Sequence, residues 1–224
     1  MAWRSSGSSN EGLINNLFTN DIITTNRVKQ AMLSVDRGNY APYAPYSDSP
    51  QSIGYQATIS APHMHATACE SLLPYVGSSS KILDIGSGSG YLSHVLAELA
   101  GEGSTIIGID HIQGLVDLAN KNMAKSESGR RLLESGRVRF VKGDGRLGYQ
   151  EDGPYDAIHV GAAAKELHKA LVDQLKAPGR MFIPVGADGG WQHIYIVDKN
   201  EKGEVVKKKD IGVQYVPLCD APIN

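Results

Sequence analysis

Cysteine is nearly absent from this 224-residue chain: only Cys69 and Cys219 occur, far apart in sequence. A disulfide-framed scaffold and a Cys-x-x-Cys metal knuckle are thereby excluded, and two free thiols in a reducing compartment are expected. Long apolar runs are missing as well. No stretch approaches the roughly 20 residues that a membrane-spanning helix needs, so no membrane partner is expected. The first ten residues, Met-Ala-Trp-Arg-Ser-Ser-Gly-Ser-Ser-Asn, hold no apolar leader segment, and a cytoplasmic (cytosolic) location is the default expectation. An excess of one charge is lacking too. Formal net charge is −2, and the longest basic run is Lys207–Lys209. Without a broad basic face, nucleic acid is not an expected partner. These lysines follow a turn-forming stretch, Asn200-Glu-Lys-Gly203, and read as a solvated sheet edge. His63 and His65 have no third ligand near them in sequence, so hydrogen bonding is expected of them and no metal site. Repeats and long linkers are absent, and nothing suggests an obligate subunit interface.

Glycine, by contrast, is abundant, with 25 residues, and its placement carries the information. Residues 81–90 read Lys-Ile-Leu-Asp-Ile-Gly-Ser-Gly-Ser-Gly: a short apolar strand running into glycines at alternate positions. Beyond a helical pattern (Leu92, Val95, Leu96, Leu99) comes a second apolar run, Thr105–Ile109, closed by Asp110. Strand, glycine loop, helix, strand and carboxylate form the first half of a nucleotide-binding α/β sheet. The carboxylate can accept from two ribose hydroxyls.

Further elements extend the pattern. Helices are expected over 11–18 and after Thr25 as a cap, then a short helix from Met64 to Leu72. Residues 36–63, with Pro42, Pro45, Pro50 and Pro62, read as a long irregular segment. A helix carries Leu115, Leu118, Ala119 and Met123. Strands are expected at 137–141, 155–160 and 180–185, with a helix at 166–175. Two last strands, 193–198 and 211–216, are expected to pair antiparallel across the charged turn. Strands alternating with helices mean an α/β fold with a mostly parallel, doubly wound sheet covered on both faces. One domain, 1–224, is expected: N-terminal helices and a lid in 1–80, an α/β core in 81–198, and a strand and tail in 199–224.

The dinucleotide fingerprint G-x-G-x-x-G fits no register here. From Gly86 its third glycine would be Tyr91, and from Gly88 it would be Ser93. The pattern is G-x-G-x-G, with bulky Tyr91 where a diphosphate would need room. A smaller adenosine ligand without a diphosphate fits better, and S-adenosyl-L-methionine has that form. Asp84 near the loop can face an ammonium group. Asp144, in Gly143-Asp-Gly145 after the third strand, can accept from an adenine amino group. Each acid alone is equally a cap or turn former; acids at successive strand ends beside the glycine loop favour a site.

The front segment, Gln56-Ala-Thr-Ile-Ser-Ala-Pro-His-Met-His65, together with Leu83–Leu92, Gly108–His111, Gly143–Arg146, Pro154–Ala163 and Gly179–Gly186, resembles the protein-L-isoaspartate (D-aspartate) O-methyltransferase family over nearly the whole chain. The glycine motif is common to many methyltransferases; Thr-Ile-Ser-Ala-Pro-His and His-Val-Gly-Ala-Ala are much more specific. The resemblance implies a Rossmann-like methyltransferase fold and a repair enzyme, and with no sign of an obligate interface a monomer is expected. Its reaction methylates the free α-carboxylate of L-isoaspartyl (or D-aspartyl) residues in age-damaged proteins and peptides. The ester converts through a succinimide toward normal aspartyl, and S-adenosyl-L-homocysteine is left. The resemblance makes Ser60 catalytic. It places cofactor contacts at Ala57, Thr58, Ile59, Ser60, His65, Asp84, Gly86, Ser87, Gly88, Asp110, His111, Asp144 and Gly145. The family often has Thr where this chain has Cys219, a poorer hydrogen-bonding group. Other readings from residues alone are a methyltransferase for a small molecule or RNA and a non-catalytic nucleotide-binding module. A lid over residues 48–64 would exclude water from the reaction.

Overall fold

The computed structural model describes residues 5–187 and 189–219. The tail 220–224 and the first four residues lie outside them.

Two helices open the described chain: α1 (Asn10–Thr19) and α2 (Asn26–Ser34). Ser9 and Thr25 cap them, each side chain accepting from the N–H three residues on. A hairpin follows, β1 (Gln51–Gly54) and β2 (Ala57–Ile59), and then α3 (Pro62–Leu72). The α/β core runs β3 (Lys81–Ile85), α4 (Tyr91–Ala100), β4 (Thr105–Asp110), α5 (Gln113–Met123), α6 (Glu127–Glu134), β5 (Val138–Lys142), β6 (Tyr155–Val160), α7 (Lys169–Gln174), β7 (Leu175–Val185), β8 (Gln192–Lys199) and β9 (Val205–Val213).

The seven-stranded sheet has the order β5-β4-β3-β6-β7-β8-β9. Its first five strands are parallel, and β8 and β9 join antiparallel. The chain leaves β3 toward β4 and β5, then returns to place β6 on the other side of β3. The order reverses there, and the carboxyl ends of β3 and β6 frame a crevice. β3, β4 and β6 are buried almost throughout, as expected of strands covered on both faces. One buried apolar cluster joins α1, α2 and α3 to α4 and α5, so the front helices share a core with the sheet's own helices.

Four elements differ from the sequence expectation. The irregular front segment contains the β1–β2 hairpin, whose turn residues Tyr55 and Gln56 have φ of 52° and 57°. Such a turn normally advertises itself with Asn-Gly, and Tyr-Gln gives no signal. The helix expected at 166–175 is confined to Lys169–Gln174, and Leu175 opens β7. The last strand begins at Val205 and carries Lys207–Lys209 on the exposed sheet edge. Exposure on both faces erased its alternation, and the apolar Ile211–Val216 drew the expected strand too far along. Finally, α6 escaped notice because only Gly129 and Leu132 of its residues are buried.

Candidate active site

Backbone builds one side of the crevice. Gly86, Gly88 and Gly90 all have positive φ (72°, 50° and 84°), a conformation that strains any residue with a Cβ. At Gly90, the left-handed cap of α4, a Cβ would also come within 3.0 Å of Ala119 and Phe140. The loop is tied to β4: Gly86 N–H and Ser87 N–H both donate to the Ile109 carbonyl, at 2.8 and 3.1 Å. Across the switch point, Gly161 N–H donates to the Ile85 carbonyl at 2.7 Å.

Asp110 ends β4 at this crevice. Its Oδ2 accepts from Gly88 N–H at 3.2 Å and its Oδ1 from Ile112 N–H at 3.1 Å. The carboxylate is thus fixed in direction while lone pairs remain free. Burial pushes its pKa up, and the two N–H groups oppose that rise. Neighbouring His111 donates through Nδ1 to the Cys219 carbonyl at 2.9 Å, which draws the C-terminal segment over the crevice. That segment is pinned again by Ala163 N–H to Val216 O and Leu218 N–H to Ala163 O, both 2.8 Å.

The result is a cavity of about 250 Å³. Among the residues expected from sequence, Ala57, Thr58, Gly86, Gly88, Asp110, His111 and Gly145 line it. Its remaining wall joins the hairpin tip (Tyr55, Gln56), apolar Ile112 and Leu115, small Gly161 and Ala162, and Val216–Cys219. Sequence reasoning missed the tip and the apolar wall, although it places Leu115 on a helix. Tyr55 lies on α5 at Gly114, where a Cβ would come 2.3 Å from the tyrosine ring. At the same time Ile53 approaches Gly88, its Cδ1 3.3 Å from a Cβ placed there. The hairpin therefore rests on both the glycine loop and α5, roofing the cavity.

Other expected residues are not among those that line the cavity. Asp84 is buried and engaged within the protein: its Oδ2 accepts from Ser93 Oγ at 2.5 Å and its Oδ1 from His159 Nδ1 at 2.8 Å. His159, stacked on Phe182 with centroids 5.9 Å apart, is thereby oriented from below. Ser87 turns its side chain toward Gly108, and its buried Oγ has no hydrogen-bond partner. Ile59 is core. Asp144 forms a bidentate pair with Arg146, Nε to Oδ1 at 2.9 Å and Nη2 to Oδ2 at 2.7 Å. The guanidinium holds its carboxyl below the ordinary range, and the oxygens keep further acceptor capacity. Tyr91 does not crowd the loop: it is buried between Tyr40, His65 and Arg37.

Ser60 and His65 belong to a polar cluster at the other side of the hairpin. Asp48, wholly buried, accepts at Oδ1 from both the backbone N–H and Nδ1 of His63, at 2.9 and 2.8 Å. It serves as a remote cap for α3, whose own cap position is Ala61. The Tyr215 side chain meets that of Ser60, and burial pushes its phenol up to about 12. Gln192, 2% exposed, clamps Tyr215 by accepting from its N–H at 2.6 Å and donating to its carbonyl at 3.3 Å.

A glycine cradle at the switch point, a carboxylate held at the end of the next strand and a crevice roofed by a hairpin define the class: a Rossmann-like, S-adenosylmethionine-dependent methyltransferase. Comparison with known proteins sharpens this. The family model for protein-L-isoaspartate(D-aspartate) O-methyltransferase matches residues 8–222. A protein-L-isoaspartate O-methyltransferase of Caenorhabditis elegans is 50% identical over 218 residues, 97% of this chain and 96% of the relative. One from the archaeon Methanopyrus kandleri is 40% identical over 93% of this chain and 90% of its own. A Plasmodium falciparum crystal structure, described as a beta-aspartate methyltransferase in complex with S-adenosyl-L-homocysteine, superposes with TM-score 0.87 at 33% identity, covering 95% of this chain and 99% of that one. The chain belongs to the protein-L-isoaspartate(D-aspartate) O-methyltransferase family.

Proposed function

We propose that this protein methylates the free α-carboxylate of L-isoaspartyl and D-aspartyl residues in damaged proteins, using S-adenosyl-L-methionine, and so returns them through a succinimide toward normal aspartyl. Family membership supports the reaction. The observation that carries the cofactor reading is Asp110, buried at the end of β4 and aimed by two backbone N–H groups into a cavity floored by glycines.

The residues present fit the cofactor. Asp110 would take the ribose hydroxyls, Ile112 and Leu115 would cover the adenine, and Asp144 and Gly145 would meet its polar edge. Gly86 and Gly88 leave room for the amino-acid part, Ala57, Thr58 and His111 complete the enclosure, and Ser60 and His65 stand beyond the hairpin on the substrate side. Bound there, the cofactor supplies a methyl group on a cationic sulfonium.

The protein's own work is placement and exclusion of water. A peptide carboxylate has a reference pKa of roughly 3.3–3.9 and needs no general base at neutral pH. Sulfonium and carboxylate lose their charges together, and water favours the separated ions, so a dry site helps. The hairpin resting on Gly88 and Gly114 provides the cover. Ser60 orients one carboxylate oxygen by hydrogen bonding and leaves the other free to attack. Positioning of this kind is worth roughly 7–11 kcal/mol in intramolecular reactions. Within one domain, residues 1–80 supply helices and lid, 81–198 the cofactor core and 199–224 the closing strand and tail. We place the enzyme in the cytosol as a monomer; among the described residues no helix is long and apolar enough to cross a membrane.

The test is transfer of labelled methyl to paired peptides that differ only in aspartyl or isoaspartyl linkage. Label should enter the isoaspartyl member alone. Equal labelling of both would overturn the assignment, and labelling of neither would point to a small-molecule or RNA substrate.

A further inference from the structure

A buried cation below Ser60 is not used by the reaction as described so far. Arg37 follows α2 in a single 3₁₀ turn, Arg37–Asn39, which Asp36 caps by accepting from Gly38 N–H at 2.8 Å. Asn10 of α1 accepts from the Arg37 N–H at 3.3 Å and so ties the turn to the first helix. The side chain has no exposed surface. Its guanidinium lies over the Tyr91 ring, 5.1 Å from the centroid, and reaches the segment that carries Ser60. Nη2–H donates to the Ser60 carbonyl at 2.8 Å, and the other arm of the fork, Nη1–H, meets His65 Nδ1 at 3.3 Å.

Among the described residues no carboxylate pairs with this charge. Asp48 is near enough to feel it, yet Asp48 gives Oδ1 to His63 while its Oδ2, like Arg37 Nε, has no hydrogen-bond partner. Burying a guanidinium without a bonded counter-ion is expensive, and packing alone would be served by an apolar side chain. What distinguishes arginine here is the fork: two donors held in one plane at fixed separation. Arginine can only donate. His65 Nδ1 must therefore accept, and the ring proton sits on Nε2.

We propose that Arg37 is a positioning residue for methyl transfer: one arm of its fork sets the backbone at Ser60, and the other fixes His65 as the neutral Nε2–H tautomer. This rests on the methyltransferase reading. Ser60 lies at the exit of β2 and His65 on the first turn of α3, and the fork bridges them across the bend between. With both arms engaged, the serine hydroxyl and the imidazole N–H keep a constant relation to each other. Tyr215, clamped by Gln192, meets Ser60 from the C-terminal segment. Charged and titratable groups facing His65 are Arg37, His63 on its own helix, His159 from β6 and Tyr91 from α4. Burial first, then the charge of Arg37, keeps its imidazole well below the usual histidine range.

The experiment compares Arg37→Met, which fills a similar volume without a fork, with Arg37→Lys, which keeps charge and loses the second arm. Melting curves and calorimetry with S-adenosyl-L-homocysteine establish folding and cofactor affinity, expected within about threefold of wild type. Turnover of an isoaspartyl peptide should fall at least about 10-fold in Arg37→Met, because a misplacement of about 1 Å can cost up to about 10²-fold. Arg37→Lys should fall between, and the peptide KM should move less than kcat. Histidine nitrogen NMR gives a second readout independent of activity. Wild-type His65 should stay Nε2–H and neutral well below the pH at which a free imidazole protonates, about 6.5, whereas in Arg37→Met it should mix tautomers and titrate closer to that ordinary value. A folded Arg37→Met enzyme with kcat within about twofold of wild type, or with His65 unchanged, overturns the proposal. Equal losses in cofactor affinity and turnover overturn it too. If Arg37→Met does not fold, Arg37→Lys decides by the same two readouts. Wild-type protein that labels no isoaspartyl peptide defeats the functional reading, while the NMR result still judges the role of Arg37 on His65.

Discussion

The two sides of the hairpin are built on different principles. On the cofactor side, backbone groups and strand ends do the work: glycines with positive φ, N–H groups tied to β4, and Asp110 held by Gly88 and Ile112. On the reactive side, side chains from distant parts of the chain converge: Arg37 and Tyr215 meet Ser60, Arg37 also meets His65, and Asp48 binds His63, through bonds spanning many residues. A backbone-built site binds whatever shape its loop admits. A site made of long side chains sets orientation, and any one of them can be altered without collapsing the cradle. Binding and turnover should therefore separate under mutation.

The largest effect should come from the cradle. Asp110→Ala removes two prospective ribose bonds worth about 1.5–3 kcal/mol each and frees two backbone donors. Affinity for S-adenosyl-L-homocysteine should fall about 100-fold or more, since about 1.4 kcal/mol is tenfold; calorimetry reads this directly. A loss below about threefold would show that the carboxylate does not face the ligand. Next comes Ser60→Ala, which should lower kcat by about 10–100-fold, the worth of one hydrogen bond to a charged group, with calorimetric affinity for the cofactor product nearly unchanged. Parallel losses in both would erase the distinction between the two sides.

Acid should strike the reactive side first. His65 is buried and its pKa depressed in the folded state, so below about pH 6.5 the unfolded chain binds more protons than the folded one. Stability is complete above that pH and falls as pH drops toward the depressed folded value, by up to about 1.4 kcal/mol per pH unit for each proton taken up. Urea melts from pH 7.5 to 5 measure this, and a flat profile through that range would place His65 in a wetter setting. The smallest effect is expected at the lid. Gly114→Ala pushes against the Tyr55 ring, an exposed and movable contact. Melting should shift little, while stopped-flow release of the cofactor product should speed up several-fold. An unchanged release rate would mean the hairpin does not retain the ligand.

The same contrast explains what could be read from sequence. The cradle was legible because a turn of positive φ demands glycine and a strand-end carboxylate demands a fixed spacing: Gly86, Gly88 and Asp110 all line the cavity. Asp84 looked like a ligand-facing acid by position, yet its oxygens are engaged by Ser93 and His159, from α4 and β6; no local pattern announces partners that far away. Arg37 and the Gln192–Tyr215 clamp were silent for the same reason. The hairpin was hidden because its turn uses Tyr55 and Gln56 in a backbone conformation those residues seldom adopt. Only family resemblance singles out Ser60, because spacing alone does not distinguish a reactive serine from a turn former.

The measurement that bears most directly on the whole is calorimetric titration of the folded wild-type protein with S-adenosyl-L-homocysteine, repeated on Asp110→Ala. Saturable one-to-one binding that the substitution weakens about 100-fold is the expected result. Absence of heat from well-folded wild-type protein, or equal binding by both forms, would contradict a cofactor crevice organised around Asp110.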